Sequence, residues 1–150
     1  MHDIVVIALS SPLLIGIYKE GTLIESIESH EHTSEALPSL FEDILKRYKI
    51  QTIIYANGPG SFMAIKVAYI FLKTLCIINN YTLRATDAFF FNKNTPIKAI
   101  GKLCFVKTSQ HIETQTFENV PPNRFVLPKY INTNEFDHDT LPYYGIDAVG

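Results

Sequence analysis

The feature that most constrains the fold is a turn between an apolar strand and an apolar helix, the run Asn57-Gly58-Pro59-Gly60-Ser61. Glycine permits backbone angles that other residues avoid, proline fixes the turn, and serine is a good N-terminal helix cap. Such a unit suits either an anion bound at the helix N-terminus or a tight connection without a ligand. Gly58, Gly60 and Ser61 are therefore a candidate anion-binding turn, although the chain contains neither a P-loop nor a dinucleotide-binding glycine motif.

The elements around this turn indicate an α/β fold. The β-branched run over 4–9 is typical of a strand that is covered on both faces. Apolar residues at helical spacing predict the first helix, with Thr33 or Ser34 as its cap and Pro38 in or near its first turn. The predicted elements are strands over 4–9, 13–18, 22–28, 52–56 and 81–86, helices over 34–48 and 61–78, and a short helix over 88–92.

This order, βββαβαβα, is that of the ribonuclease-H-like half domain of the actin and sugar-kinase group, and it predicts a mixed five-stranded sheet with helices. Residues 1–95 are predicted to form this half domain, and residues 96–150 a reduced second half domain or a strap across the first. Strands over 99–107 and 113–118 are expected to pair within a small β-rich appendage, because the residues after them are rich in proline, asparagine and aspartate.

Composition narrows the classes of function. The chain has 150 residues and a net charge of −2 without a basic block, which argues against broad electrostatic contact with nucleic acid. Cys76 and Cys104 form no C-x-x-C pair and are predicted to be buried thiols in a reducing compartment. The N-terminus lacks the basic region of a secretory signal, and no run is expected to reach transmembrane length. We therefore expect a cytoplasmic protein that does not contact a membrane.

The second helix has an unusually wide apolar arc. At roughly 100° per residue, Lys66 and Lys73 fall on one narrow side, and nearly all other positions are apolar. Such a helix is expected to be buried on two sides, the outer one covered by the first helix, by the C-terminal residues or by another protein. The candidate partner-binding residues are Phe62, Lys66, Tyr69, Ile70, Lys73 and Ile77.

Four short runs resemble the TsaB family, also called YeaZ. The run 58–66 is similar to the family's G-P-G-S-F-T-G-[LI]-R, and the run 32–38 to H-[ST]-x-x-L-[LI]-P with a one-residue latitude. Residues 7–11 are similar to the opening I-L-[AG]-[LI]-D-T-[AS], and residues 141–144 to a closing P-x-Y. The resemblance covers residues 1 to about 95 and is faint beyond them.

The chain departs from the family where related proteins carry out phosphate chemistry. Ser10 stands in place of the opening aspartate that helps ATP-using relatives to place a metal and phosphate. Met63 and Ala64 replace threonine and glycine, and Lys66 replaces arginine. The chain is also shorter than a typical member, mostly in the second half domain.

The resemblance implies a non-catalytic scaffold subunit of the bacterial complex that makes threonylcarbamoyladenosine at position 37 of tRNA. Members bind the catalytic subunit TsaD through the two helices of the first half domain, work with the ATPase TsaE, and form homodimers through a similar surface. The resemblance therefore implies no catalytic residue or metal, ATP or ADP only within a complex, and contact with tRNA only indirectly. The alternatives are a nucleotide-binding phosphotransferase of the actin-like superfamily, with the Ser10 and Gly58 turns as phosphate loops, and a self-associating protein without a tRNA role.

Other candidate chemistry has little support in the sequence. His30 and His32 could share a metal ion, but spacing fixes no third ligand. Ser61 is not in the G-x-S-x-G motif of a nucleophile elbow, and its hydroxyl is expected to cap the helix.

Overall fold

The computed structural model describes residues 1–109, 111–122 and 124–145. The chain begins with a three-stranded antiparallel meander, in which β1 (His2–Ile7) pairs with β2 (Leu13–Lys19) and β2 pairs with β3 (Thr22–Ser29). Glu20 and Gly21 connect β2 to β3, both with positive φ, as the tight turn of a hairpin requires.

The remaining strands of this sheet are parallel to β1. After α1 (Thr33–Arg47), β4 (Ile50–Ala56) pairs in parallel with β1, and after α2 (Phe62–Asn79), β5 (Thr82–Thr86) pairs in parallel with β4. The strand order is β3-β2-β1-β4-β5, and both helices pack on one face. The predicted mixed five-stranded sheet is confirmed.

The central strand β1 is buried on both faces, as its β-branched sequence predicts. Its side chains alternate, so that Ile4 and Val6 contact the helix layer while Val5 and Ile7 contact the layer behind the sheet. No residue from Ile4 to Leu9 exposes more than 3% of its surface.

The layer behind the main sheet contains a second, smaller sheet. Its strands β6 (Ile97–Ile100), β7 (Leu103–Lys107) and β8 (Ile112–Thr116) are antiparallel in the order β6-β7-β8, and a 3₁₀ helix (Ala88–Phe91) connects β5 to them. The predicted β-rich appendage is therefore confirmed. The prediction of one strand over 99–107 is wrong, because Gly101 turns the chain with a φ of +57° and divides this stretch between two strands. The domain boundary near residue 95 stays a prediction.

The C-terminal strap, which we define as residues 124–145, crosses the same face of the main sheet. Phe136 is 4% exposed in the core there, and the Tyr18 hydroxyl donates to the Pro128 carbonyl at 2.5 Å. The strap thereby closes the side of the sheet that the helices leave open. Backbone hydrogen bonds join the strap to the main sheet and its turns. Among them, the Leu23 N–H donates to the Lys129 carbonyl (3.0 Å), the Asp137 N–H to the Ala85 carbonyl (2.9 Å) and the Tyr143 N–H to the Asn57 carbonyl (2.7 Å).

The start of α1 differs from the prediction. The N-cap residue is His32, and it makes no side-chain capping hydrogen bond, so neither Thr33 nor Ser34 is the cap. Pro38 lies in the second turn, near the first as predicted, and it cannot donate the usual helix hydrogen bond to the Ser34 carbonyl.

One helix in the described part of the chain is long and apolar enough to cross a membrane by length and composition. It is α2, with 18 residues and a mean hydropathy of 1.7, so the expectation that no run reaches this length is wrong. In this structure α2 packs along the main sheet instead, with Leu72 fully buried against it.

Candidate functional site

The inward side of α2 is a narrow stripe. Its four buried residues, Ile65, Ala68, Leu72 and Cys76, follow one another at spacings of three or four and contact the main sheet or its flanking layers. Burial raises the pKa of the Cys76 thiol to about 11, so this cysteine is a core residue rather than a reactive one. The predicted burial of both cysteines, Cys76 and Cys104, is confirmed.

The outward side of α2 is apolar and exposed. Ile70 exposes 54% of its surface, Ile77 70% and Ile78 74%, and Met63 near the N-terminus exposes 69%. The first helix, the C-terminal residues and another protein were the three possible covers for this side. These exposures show that neither α1 nor the C-terminal residues that the structure describes bury most of it. We call this side, together with the groove beside it, the α1–α2 face.

The groove lies between the two helices and has a volume of about 470 Å³. The helices meet below it, where the rings of Phe41 and Phe71 are 5.6 Å apart. Its lining is almost entirely apolar, a composition that suits an inserted side chain of another protein. The residues that line it are Ser34, Leu37, Pro38, Val67, Ile70, Phe71, Thr74, Leu75 and Ile78.

Four of the six residues predicted to bind a partner lie on the exposed side of α2: Lys66, Ile70, Lys73 and Ile77. The other two are half-buried by neighbours in the same chain. The ring of Phe62 lies 4.8 Å from that of Tyr144 in the strap, and the ring of Tyr69 lies 6.1 Å from that of Tyr55 in β4. Tyr69 is therefore a poor position at which to test partner binding, and Ile70 and Ile77 are better ones.

The predicted partner-binding residues all lie on α2, so none of them is on the α1 side of the groove, although the resemblance implies an interface through both helices. Leu37 and Pro38 are part of its lining, yet the apolar spacing of α1 indicates only which residues face the core. Pro38 was the one available signal, because a proline inside a helix disturbs the backbone and requires a local reason. The second turn of α1, where it lies, is an edge of the groove.

Charged residues are exposed on both helices, but none of them lines the groove. The exposed charged residues of α2 are Lys66 and Lys73, and those of α1 are Glu35, Glu42, Asp43, Lys46 and Arg47. Glu42 also lies 3.8 Å from Lys46, and both side chains are more than 70% exposed, so this pair contributes little to stability. α1 therefore carries charges of both signs, with its basic residues in the last turn, whereas the exposed charges of α2 are both basic.

The glycine turn before α2 is tightly packed. Ser61 is the N-cap, as predicted, and its hydroxyl accepts from the Ala64 N–H at 3.4 Å. Gly58 has a φ of +123°, and a Cβ at this position would lie 1.8 Å from the Tyr143 carbonyl oxygen. Gly60 packs closely on another turn, since a Cβ there would lie 2.9 Å from the Leu9 carbonyl oxygen.

These contacts bear on the candidate anion-binding turn. The Ser61 N–H donates to the Leu9 carbonyl at 2.9 Å, so it is already used within the chain. This bond also joins the Gly58 turn to the turn that contains Ser10, so the two turns that the phosphotransferase alternative would use as phosphate loops are in direct contact. That alternative and anion binding at Gly58, Gly60 and Ser61 both stay predictions.

Among the residues that the structure describes, no three histidine, cysteine or acidic side chains are grouped closely enough to hold a metal ion. His30 and His32 are exposed residues on either side of Glu31, just before α1. The structure brings no third ligand to them within the described ranges.

The element order, the sheet and the position of the helices define an α/β fold of ribonuclease-H-like type with a separate, small three-stranded antiparallel sheet. Among solved structures, the chain is similar to YeaZ from Pseudomonas aeruginosa, with a TM-score of 0.59 and 14% identity over 85% of this chain and 70% of that one. It is also similar to a protein described as uncharacterized, with similarity to peptidase YeaZ from Pseudomonas aeruginosa, with a TM-score of 0.54 and 15% identity over 85% and 69%. No family model and no curated protein matches the chain. The fold that the TsaB resemblance implies is therefore confirmed.

Proposed function

We propose that this chain is a non-catalytic scaffold subunit of the bacterial system that makes threonylcarbamoyladenosine at position 37 of tRNA, and that it binds a TsaD-like catalytic subunit through the α1–α2 face. The observation that carries the proposal is the exposed apolar side of α2, with Ile70 and Ile77 more than half exposed beside an apolar groove. Contiguous apolar surface of this kind marks interaction sites on soluble proteins. The YeaZ-like fold and the TsaB-like motifs support the choice of partner.

The test is co-purification of the chain with the TsaD-like protein of the same organism. A charge placed in the centre of the face becomes buried and unpaired on binding, so Ile70→Asp and Ile77→Asp should each abolish the complex. Ile100→Asp is the matched control, because Ile100 is 65% exposed on the small sheet, away from the face. If both helix variants co-purify as well as Ile100→Asp does, the α1–α2 face is not the binding site.

We also propose that the face pairs with a second copy of the chain when TsaD is absent. We expect a two-fold arrangement that lays α2 of one copy over α1 of the other, in which Lys66 and Lys73 would approach Glu35 and Glu42. Light scattering should therefore show a dimer that weakens in high salt, because exposed ion pairs are screened. The variant Lys66→Glu should weaken the dimer, and a protein that stays strictly monomeric at tens of micromolar would refute this part of the proposal.

The remaining roles follow from the same scaffold function. We propose that the protein works in the cytoplasm, that a TsaE-like ATPase joins through the complex, and that tRNA is contacted only indirectly. We also propose that the chain alone binds no ATP or ADP, because Ser10 replaces the acidic residue and the Ser61 N–H is already bonded to Leu9. Calorimetry with Mg-ATP tests this, and a low-micromolar Kd that is lost in Gly58→Val would instead favour the phosphotransferase.

A further inference from the structure

A second cleft lies between the two sheets, at the carboxyl end of β5. It has a volume of about 460 Å³ and is lined by the residues that follow β5, including Asp87 and Phe90, and by the end of β7, including Lys107 and Ser109. Ligands of α/β proteins bind beyond the carboxyl ends of parallel strands and between structural units. The corresponding ends of β1 and β4 lead into the packed turns described above, whereas the end of β5 leads into this open cleft.

Two opposite charges stand side by side in the cleft. The Asp87 carboxylate contacts the Lys107 ammonium, and their side chains are 21% and 42% exposed. The other oxygen of Asp87 accepts from the Phe89 N–H at 3.0 Å, which holds the carboxylate in place as the cap of the 3₁₀ helix. The charged pair is therefore fixed at one side of the cleft and open to solvent at the other.

An exposed aromatic ring stands beside this pair. Phe90 exposes 44% of its surface, and its ring is held from behind by edge contacts with Phe91 at 5.1 Å and with Phe136 at 5.2 Å. A supported ring of this kind offers apolar contact area without needing to be ordered first, which lowers the entropy cost of binding.

The charge pattern selects among classes of ligand. A ligand with a single charge would have to replace one member of the Asp87–Lys107 pair and leave the other without its partner, which is unfavourable in a half-buried site. An uncharged ligand could hydrogen-bond to either group but would bring no opposite charge to Asp87 or to Lys107. A zwitterion presents an ammonium to Asp87 and a carboxylate to Lys107 at the same time, so it adds two charge-assisted hydrogen bonds and leaves neither residue unpaired.

From this geometry we infer that the cleft binds a free α-amino acid as its zwitterion, with an apolar side chain that lies against Phe90. The inference does not depend on the α1–α2 face, which lies on the opposite side of the main sheet.

The experiment is a titration of the ¹⁵N-labelled full chain with L-phenylalanine and L-leucine, followed by NMR. The backbone amides of Asp87, Phe90 and Lys107 should shift in a saturable way. N-acetyl-L-phenylalanine lacks the ammonium and L-phenylalanine amide lacks the carboxylate, so each should bind about tenfold more weakly or worse, as expected when one charged hydrogen bond is lost.

Variants test the two charged residues. Asp87→Asn keeps the oxygen that accepts from the Phe89 N–H and should fold, yet it should weaken L-phenylalanine about tenfold, and Lys107→Gln should do the same. Lys102→Gln is the control, since Lys102 is an exposed lysine of the same small sheet, 3.6 Å from Glu118. The inference is overturned if no saturable shift occurs up to about 10 mM amino acid, if the blocked derivatives bind as well as the zwitterion, or if Lys107→Gln binds like Lys102→Gln.

Discussion

The exposure of Ile70 and Ile77 on the α1–α2 face allows the loss of binding free energy on their substitution to be predicted. Full burial of an isoleucine side chain contributes about 1.5–3 kcal/mol. Ile70 is 54% exposed and Ile77 70% exposed, so covering the remainder contributes about 1–1.5 kcal/mol at Ile70 and about 1–2 kcal/mol at Ile77. The two positions are about 10 Å apart along the helix axis, far enough for their effects to add. The double variant Ile70→Ala/Ile77→Ala should therefore weaken the interface by about 2–3.5 kcal/mol, or roughly 30- to 300-fold in Kd.

Alanine is the informative replacement here because it removes apolar area without adding a charge, and both positions are exposed in the isolated chain. The melting temperature should stay close to that of the parent, since alanine favours the helix. Calorimetry against the TsaD-like protein, or sedimentation equilibrium for the homodimer, measures the change in Kd. Ile100→Ala serves as the control, with 65% exposure on the small sheet. A double variant that folds normally and binds within a factor of about three of the parent would refute the assignment of the face.

Three further predictions concern the scaffold. Gly58→Ala should destabilise the fold by about 1–2 kcal/mol or more in a urea titration, because the residue needs a left-handed φ and a Cβ would meet the Tyr143 carbonyl; an unchanged midpoint would show that the strap is not packed on the turn. With a pKa of about 11, roughly one Cys76 thiol in a thousand is ionised at pH 8, so iodoacetamide followed by mass spectrometry should leave Cys76 unmodified until the protein unfolds. A hydrogen bond from Arg47 lowers the pKa of Glu25 below its ordinary value of 4.5, so the stability that this pair gives is present above that pH and lost as the pH falls below it; Glu25→Gln should reduce the acid dependence of the melting temperature.

Much of the main sheet was predictable because its signals are local. The β-branched run of β1 requires cover on both faces, and the run Gly58-Pro59-Gly60-Ser61 contains the residues that a turn and a helix cap require. Each of these signals involves residues that are close in sequence, so the local sequence is enough to predict the strand, the turn and the helix cap. The error at 99–107 has the same origin, since a single glycine inside an apolar stretch indicates a bulge or a turn equally well.

The strap was only partly predictable because its contacts are distant in sequence. The Tyr18 hydroxyl donates to the Pro128 carbonyl, and the two residues are 110 positions apart. The sequence around either residue does not indicate that the other is its partner. The same limit applies to the candidate anion-binding turn. Its glycines are compatible with either a bound anion or a tight connection, and they do not show that Gly58 leaves room for the backbone at Tyr143, which follows far along the chain.

For the outer side of α2, the sequence predicts that the helix is covered, whereas only the structure shows whether other parts of the chain cover it. A wide apolar arc predicts that a helix is covered on two sides, but it does not identify the cover. The structure places the described parts of the chain elsewhere: α1 lies beside α2, and the strap crosses the opposite face of the sheet, reaching α2 at Phe62. Lys66 and Lys73 lie within the exposed arc, where their long stems can cover apolar surface while their charges stay hydrated. A side that is apolar at Ile70, Ile77 and Ile78, yet keeps two lysines, has the composition that we expect of the proposed interface, which would be hydrated in the free chain and dry at its centre in a complex.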